Sequence, residues 1–299
     1  MIGRAPTWDD LGTVAALVEA ADRNDIGEPD WSAEDIRERW RMPGFDLARD
    51  AWLVELDGRV AGFGMAWEPR GGDLVAAGSV HPAARGCGVG ADLVRRAEGR
   101  ARERGAEKLA YFVLGHDSAA RRLLGARGFG LARHFFRMTA DVVAPPADPV
   151  WPPGFAGRAF VPGQDERAVY NAVNEAFDEG WGRTPEPYER WRARHVEDES
   201  FDPALWLLAL DGREIAGFAL CGLYPTGGIV GVLGVRRPWR RRGLGRALLL
   251  HAFGEFHRRG ARQVALGVDA ANPTGATRLY ERAGMRVAYR YDRYEKELR

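Results

Sequence analysis

The chain has 299 residues, enough for two domains that each bury a core, which excludes a single disulfide-stapled module. Its 43 basic and 42 acidic residues leave a formal charge of +1, so no overall field argues for nucleic acid or a membrane surface, and 45% hydrophobic with 28% charged residues excludes a disordered chain. Two cysteines cannot frame a disulfide scaffold, no apolar run approaches the ~18 residues of a membrane span, and no leader pattern opens the chain, so the cytoplasm is the expected compartment.

Thr7-Trp8-Asp9-Asp10 sets a hydroxyl three residues before a carboxylate, the pattern of a helix start, and a second helix is expected around Ala33 to Trp40. Trp52 to Leu56 and Val60 to Trp67 are apolar runs joined by Asp57-Gly58, the chemistry of a tight hairpin. A third run, Leu74 to Val80, ends at His81-Pro82 and a glycine cluster, Arg85-x-x-Gly88-x-Gly90, that opens a helix. A strand at Lys108 to Leu114, a short helix and a final strand follow. Thr139 to Phe155 carries Pro145, Pro146, Pro149, Pro152 and Pro153 without periodicity and reads as a linker.

Beyond the linker the chain repeats itself. Trp52-Leu53-Val54-Glu55-Leu56-Asp57-Gly58-Arg59 returns as Trp206-Leu207-Leu208-Ala209-Leu210-Asp211-Gly212-Arg213 at an offset of 154. Arg85-x-x-Gly88-x-Gly90 returns as Arg240-x-x-Gly243-x-Gly245 at 155, and Gly128-Phe129 as Gly284-Met285 at 156. A helix from Asp165 to Phe177 matches the first helix, and the helix after the second glycine cluster carries Leu248, Leu249, Ala252, Phe253 and Phe256 on one stripe. The expected fold is mixed α/β, of the α+β kind: two homologous tandem domains, each a mixed, mostly antiparallel twisted sheet flanked by helices. The expected boundaries are 1–140, a linker at 141–156, and 157–299.

In both halves the glycine cluster lies between a strand and a helix. Glycines let a ligand approach the backbone, and free N–H groups at a helix start bind phosphate oxygens, so the pattern describes a pyrophosphate cradle. Gly86-Cys87-Gly88-Val89-Gly90-Ala91 would also pass as a dinucleotide fingerprint, but the second copy has Arg241 at its first glycine, and both clusters lie mid-domain rather than after a first strand. Cys87 has no base set beside it by the sequence and reads as a small apolar filler rather than a nucleophile.

Val80-His81-Pro82-Ala83-Ala84-Arg85-Gly86-Cys87-Gly88-Val89-Gly90 and Val235-Arg236-Arg237-Pro238-Trp239-Arg240-Arg241-Arg242-Gly243-Leu244-Gly245 both resemble the acyl-CoA signature of the GNAT superfamily of N-acetyltransferases. The tandem arrangement resembles the mycothiol synthase family. That resemblance implies acetyl-CoA, or another acyl-CoA, as co-substrate, with no metal. It implies that the pantetheine arm pairs with Gly78, Ser79 and Val80 in the first copy and with Leu233, Gly234 and Val235 in the second. The pyrophosphate would rest on Gly86, Cys87, Gly88, Val89, Gly90 and Ala91 beside Arg85, and on Arg241, Arg242, Gly243, Leu244, Gly245 and Arg246 beside Arg240. At least one of Arg240, Arg241 and Arg242 is expected to be no more than a solvated helix start.

The family's second signature, in which an Asn meets the pantetheine and a Tyr protonates the departing thiolate, is matched by Asn272 and Tyr280. The first copy has Asp117 and Leu124 at these positions, and leucine donates no proton, so the second domain is expected to be the catalyst and the first a structural partner able to hold acyl-CoA without turning it over. Mycothiol synthases are expected to carry a glutamate on the strand ahead of the loop, where this chain has Ile229. Asp178, Glu179 and Trp181 are the candidate acceptor-binding residues, Asp269 is a further candidate acid, and Tyr188 and Trp191 read as pocket wall or core. His195 has no visible metal partner. Three functions remain open: transfer of acetyl to a small-molecule primary amine, mycothiol synthesis on a cysteinyl amino sugar, or acyl-CoA binding or sensing without turnover. The chain is expected to act as a monomer or homodimer, without nucleic acid or membrane.

Overall fold

The computed structural model describes residues 1–68, 73–178, 181, 185–198 and 201–298. Its chain divides into two compact units, Met1–Phe135 with Tyr289–Arg299, and Phe136–Ala288. The first unit begins with β1 (Ile2–Arg4), α1 (Leu11–Ile26), α2 (Ala33–Arg41), α3 (Leu47–Asp50), β2 (Ala51–Leu56), β3 (Arg59–Trp67) and β4 (Leu74–Val80). It continues with α4 (Val89–Glu103), β5 (Lys108–Leu114) and α5 (Ser118–Ala126), and β6 (Gly130–Asp141) carries the chain into the second unit. There follow β7 (Phe155–Ala159), α6 (Glu166–Ala176), α7 (Tyr188–His195), β8 (Trp206–Asp211), β9 (Glu214–Tyr224), β10 (Gly227–Val235), α8 (Leu244–Arg258), β11 (Gln263–Asp269) and α9 (Ala276–Arg282). The last strand, β12 (Arg286–Glu297), returns to the first unit.

Local chemistry sets these elements. Ser32 Oγ accepts the Asp35 N–H at 3.2 Å while the Asp35 carboxylate accepts the Ser32 N–H at 2.6 Å, a reciprocal cap that starts α2. Asp57 and Gly58 take φ values of 52° and 74°, the paired left-handed turn whose twist suits the β2–β3 hairpin.

In the first unit the strand order is β1-β2-β3-β4-β5-β12, with β4 and β5 parallel and the other pairs antiparallel. The second runs β6-β11-β10-β9-β8-β7, with β10 and β11 parallel and β7 through β10 antiparallel. One face of the first sheet is covered by α4 through Val89, Leu93, Val94, Ala97 and Ala101; the other takes Val14, Leu17 and Val18 of α1 with Ile36 and Trp40 of α2. The second unit repeats this plan. Its α8 buries Leu244, Leu248, Ala252, Phe253 and Phe256 on one face, while Val169, Ala172, Val173 and Trp191 of α6 and α7 pack on Phe218 and Leu220 of the other. Each fully buried Val, Leu, Ile or Phe among these contributes about 1.5–3 kcal/mol of burial.

The unit boundaries differ from those read off the repeat. The final strand, assigned by sequence to residues 157–299, pairs with β5 over its last seven residues, from Tyr291 opposite Leu114 to Glu297 opposite Lys108. Tyr294 packs into the first core, and Lys296 Nζ donates to Glu98 Oε1 and to the Arg127 carbonyl, both at 2.7 Å. The segment read as a linker begins inside β6, and Ala140 and Val142 belong to the second core. Trp151, amid the prolines, lies over β7, where its ring occupies the space that a Cβ on Gly157 would need.

Candidate active site

The site begins where two parallel strands separate. β10 pairs with β11 only at Gly228 opposite Val264 and Ile229 opposite Ala265. Its pairing with β9 shifts register between Val230 and Val232, so Gly231 is an extra residue that bends β10 away from β11. From Val232 to Val235 the strand edge toward β11 is left without a ladder partner, and these N–H and C=O groups can pair with an extended amide-bearing ligand. Leu233, Gly234 and Val235, the expected pantetheine segment, lie on this edge. Gly234 has no room for a side chain: its Cβ would stand 2.5 Å from the Phe218 ring. In the first unit β4 leaves β5 after Ala76, which frees Gly78, Ser79 and Val80, but its register with β3 runs through without a bulge.

Each free edge leads into a glycine loop and a helix start. Gly88 and Gly243, with φ of 84° and 92°, are the N-caps of α4 and α8, and neither cap supplies a side-chain acceptor to the first-turn N–H groups. Those donors and the helix dipole form an anion-binding end. The position filled by Gly86 at φ 80° is filled in the second loop by Arg241 at φ 63°, a conformation that costs a non-glycine residue roughly 1 kcal/mol. Arg241, Arg242 and Arg246 are exposed around this loop. In the first loop Val89 is buried, Gly90 and Ala91 are half-buried, and the first turn of α4 carries Asp92.

Arg240 is not merely a solvated helix start. Its Nε donates to the Val235 carbonyl at 3.1 Å and its Nη2 to the Ala176 carbonyl at 3.0 Å, bracing the loop between β10 and the end of α6. Arg85 braces the first loop by another route, a bidentate pair with Asp25 at 2.7 and 2.8 Å near the end of α1. Burial works against the Asp25 carboxylate, but this pairing holds it below the usual range. Cys87 is exposed, so it is not the packing filler the sequence implied.

The glycines that follow the caps serve packing. A Cβ on Gly245 would stand 3.0 Å from Leu279 Cδ2, and one on Gly90 3.3 Å from Leu123 Cδ2, so each glycine lets the short helix after the next strand lie against the long one. On that short helix in the second unit is Tyr280, buried in the core that α8 forms with the sheet. Burial pushes its phenol up to about 12, and among the described residues its hydroxyl has no hydrogen-bond partner. Asn272 Oδ1 accepts from the Thr274 N–H and hydroxyl at 2.9 and 2.5 Å, which leaves its amide N–H groups unpaired among the described residues. Leu124, the counterpart of Tyr280, is buried hydrocarbon in the first core, and Asp117 caps α5 through the Ala119 and Ala120 N–H groups.

Asp178 is exposed and meets Arg237 Nη2 at 3.5 Å, Trp181 is exposed, and Glu179 lies outside the described residues. Trp191 is core, with Tyr188 stacked on it at 6.2 Å between centroids, and His195 packs on Trp191 and Trp206. Asp269 Oδ1 accepts the Ala271 N–H at 2.8 Å at the far end of β11.

Two stretches, residues 16–129 and 167–285, match the model of the acetyltransferase (GNAT) family. The chain belongs to this family. It is similar to the mycothiol acetyltransferase of Thermobispora bispora, 33% identical over 93% of each chain, and to that of Pseudarthrobacter chlorophenolicus, 36% identical over 75% of this chain and 71% of the other. Among solved structures it is similar to a GCN5-related N-acetyltransferase from Sphaerobacter thermophilus, 41% identical with a TM-score of 0.88 over 100% of this chain and 96% of that one. A tandem GNAT protein from the clavulanic acid biosynthesis pathway shares the fold, with 18% identity and a TM-score of 0.78 over 100% of this chain and 98% of that one.

In this GNAT acetyltransferase the sequence marks both glycine loops, and each opens a helix. It did not reveal the bulge at Gly231, because a glycine inside an apolar run is compatible with an unbroken ladder. Nor did it reveal the bracing by Arg240, whose partners are main-chain carbonyls that no side-chain pattern betrays.

Proposed function

We propose that the second unit transfers an acetyl group from acetyl-CoA to the primary amine of a small molecule by direct attack. The observation that carries this reading is the combination, in one unit only, of an opened strand with a bulge, a helix-start loop and a buried phenol, where the first unit has Leu124. The pyrophosphate is held by the N–H groups that begin α8, and the pantetheine amides pair with Leu233 to Val235 and with the Asn272 amide. The thioester carbonyl then lies along β10 near the bulge. The amine nitrogen attacks it, the C–N bond forms, the C–S bond breaks with its electron pair passing to sulfur, the Tyr280 hydroxyl gives its proton to that sulfur, and the extra proton on nitrogen passes to water. A phenol pushed up to about 12 stays protonated until a thiolate develops, which is the state a general acid requires. The first unit supports a different role. It keeps a loop and an opened strand able to hold acyl-CoA, but it has no phenol at position 124 to complete a turnover.

A second reading, acetylation of a cysteinyl amino sugar, is favoured by the relatives named mycothiol acetyltransferases at 33–36% identity, and Ile229 weighs against it. One experiment separates these readings: incubation of the protein with acetyl-CoA and a panel of amines that includes the cysteinyl amino sugar, with mass-spectrometric detection of product. Acetylated amines other than the sugar support the leading reading, and product from the sugar alone supports the second. Tight acetyl-CoA binding with no product from any amine would overturn both in favour of a binding protein.

A further inference from the structure

The acceptor end of the second-unit cleft is apolar where a catalytic carboxylate would be most useful. Along β10, Gly228 faces Phe256 and Val230, Leu233 and Val235 pack in the α8 core, while Val232 packs in the core beneath α6 and α7. By strand alternation Ile229 faces the α6 and α7 side, two residues before the bulge, at the last rung that still joins β10 to β11. An arm laid along β10 from the α8 loop ends here, so Ile229 lies under the approach of the acceptor.

Its neighbours on the same face are also without charge. Ile229 is opposite Ala265 on β11 and opposite Gly222 on β9. Gly222 is small for a reason: a Cβ there would stand 2.8 Å from Tyr224 Cε2 and 3.1 Å from its Oη, so the Tyr224 ring lies across Gly222 beside Ile229. Both Ile229 and Tyr224 are half-buried. Among the described acids of α6, α7 and their flanking turns, Asp165 pairs with Arg158, Glu166 accepts the Gly163 N–H, Glu175 pairs with Arg236 at 2.7 Å, Asp178 with Arg237 at 3.5 Å and Glu189 with Arg167 at 4.0 Å, while buried Glu186 lies 3.6 Å from Arg194 with an Oε2 that makes no hydrogen bond. Asp269 shares the face of Ala265, but four residues of extended strand put it about 13 Å from that rung.

Resting on the acetyltransfer assigned above to the second unit, we propose that the acceptor is taken up as a neutral amine carried on an apolar or aromatic group, with Ile229 and the Tyr224 ring as the surfaces that select it. An apolar wall disfavours an ammonium ion and admits the free base, so the amine loses its first proton to bulk water before it binds. Attack then forms the C–N bond, the thiolate takes the Tyr280 proton, and the nitrogen's second proton leaves to water, from which the phenolate is reprotonated. The glutamate expected of mycothiol synthases at this position is dispensable for such a substrate, and a polyhydroxylated sugar would leave its hydroxyls unpaired against Ile229.

The test uses the full chain, saturating acetyl-CoA, and two amines, 2-phenylethylamine and glucosamine, with kcat/KM measured as a function of pH and expressed per concentration of free base. The expected result is a preference of about tenfold or more for 2-phenylethylamine. For each amine, kcat/KM per total amine should rise with pH up to that amine's own pKa. Ile229→Glu should lower kcat/KM for 2-phenylethylamine by about tenfold or more and leave the acetyl-CoA dissociation constant unchanged. Tyr224→Ala, a milder change should the glutamate prevent folding, should erase the preference. Equal or better use of glucosamine, or a pH inflection that is the same for both amines, would overturn the inference while leaving acetyltransfer intact. Failure to bind acetyl-CoA or to acetylate either amine would overturn the underlying reading as well.

Discussion

Leu279 Cδ2 in α9 lies 3.0 Å from the point where a Cβ on Gly245 would stand, so the second residue of α8 is the contact on which the helix carrying Tyr280 rests. Gly254, two turns and more along the same helix, has nothing within 4 Å of its own Cβ position. The two glycines therefore predict opposite outcomes. Gly254→Ala should stabilise the protein by about 0.5–1 kcal/mol and leave turnover unchanged, because alanine is the better helix former. Gly245→Ala should cost about 1–3 kcal/mol by overpacking and lower kcat as Tyr280 shifts. Denaturant midpoints and steady-state rates on the two variants check both signs.

Arg241 and Arg240 are adjacent in sequence and separable in effect. Arg241→Gly relieves a left-handed backbone position and should stabilise the protein by roughly 1 kcal/mol. Arg240→Ala removes the donors to the Val235 and Ala176 carbonyls and should weaken acetyl-CoA binding by about tenfold through loss of loop position. Calorimetric titration with acetyl-CoA distinguishes them; unchanged affinity in Arg240→Ala would remove the bracing role.

Tyr294 belongs to the first core although it lies near the end of the second sequence repeat. Tyr294→Ala should cost about 3 kcal/mol, as truncation of a buried aromatic does, together with the hydrogen bond that the hydroxyl accepts from Arg121 Nε at 3.3 Å. A urea transition moved by less than about 0.5 kcal/mol would contradict the place of β12 in that core.

Much of this fold is legible in the sequence. The run from Lys108 to Leu114 is β5 to the residue, and Asp57-Gly58 gives the left-handed hairpin turn that its chemistry requires. The helix after the second glycine cluster buries the stripe that its spacing defines. The place of the last strand is not legible, because alternation marks a strand and its faces but not its neighbour, and the neighbour of β12 is chosen by Tyr294 and Lys296 through contacts with Glu98 and Phe129 far away in sequence. The role of the candidate acceptor residues is hard to read for a related reason. Asp178 and Trp181 follow the end of α6, where composition alone does not separate a cleft wall from an exposed turn.

The phenol of Tyr280 also fixes a pH dependence. An acid whose pKa is pushed up to about 12 keeps its proton throughout the neutral range, so kcat should show no alkaline loss below about pH 10. A decline in kcat centred near pH 8 would assign the acid to another group.

The most direct measurement is the turnover of Tyr280→Phe beside its acetyl-CoA affinity. Phenylalanine keeps the buried aromatic ring in the second core and breaks no hydrogen bond among the described residues, so folding and binding should persist. Loss of about 10²–10³-fold in kcat with an unchanged dissociation constant is the predicted result for a general acid. Turnover within about threefold of the native protein would contradict catalysis by Tyr280 in the second unit.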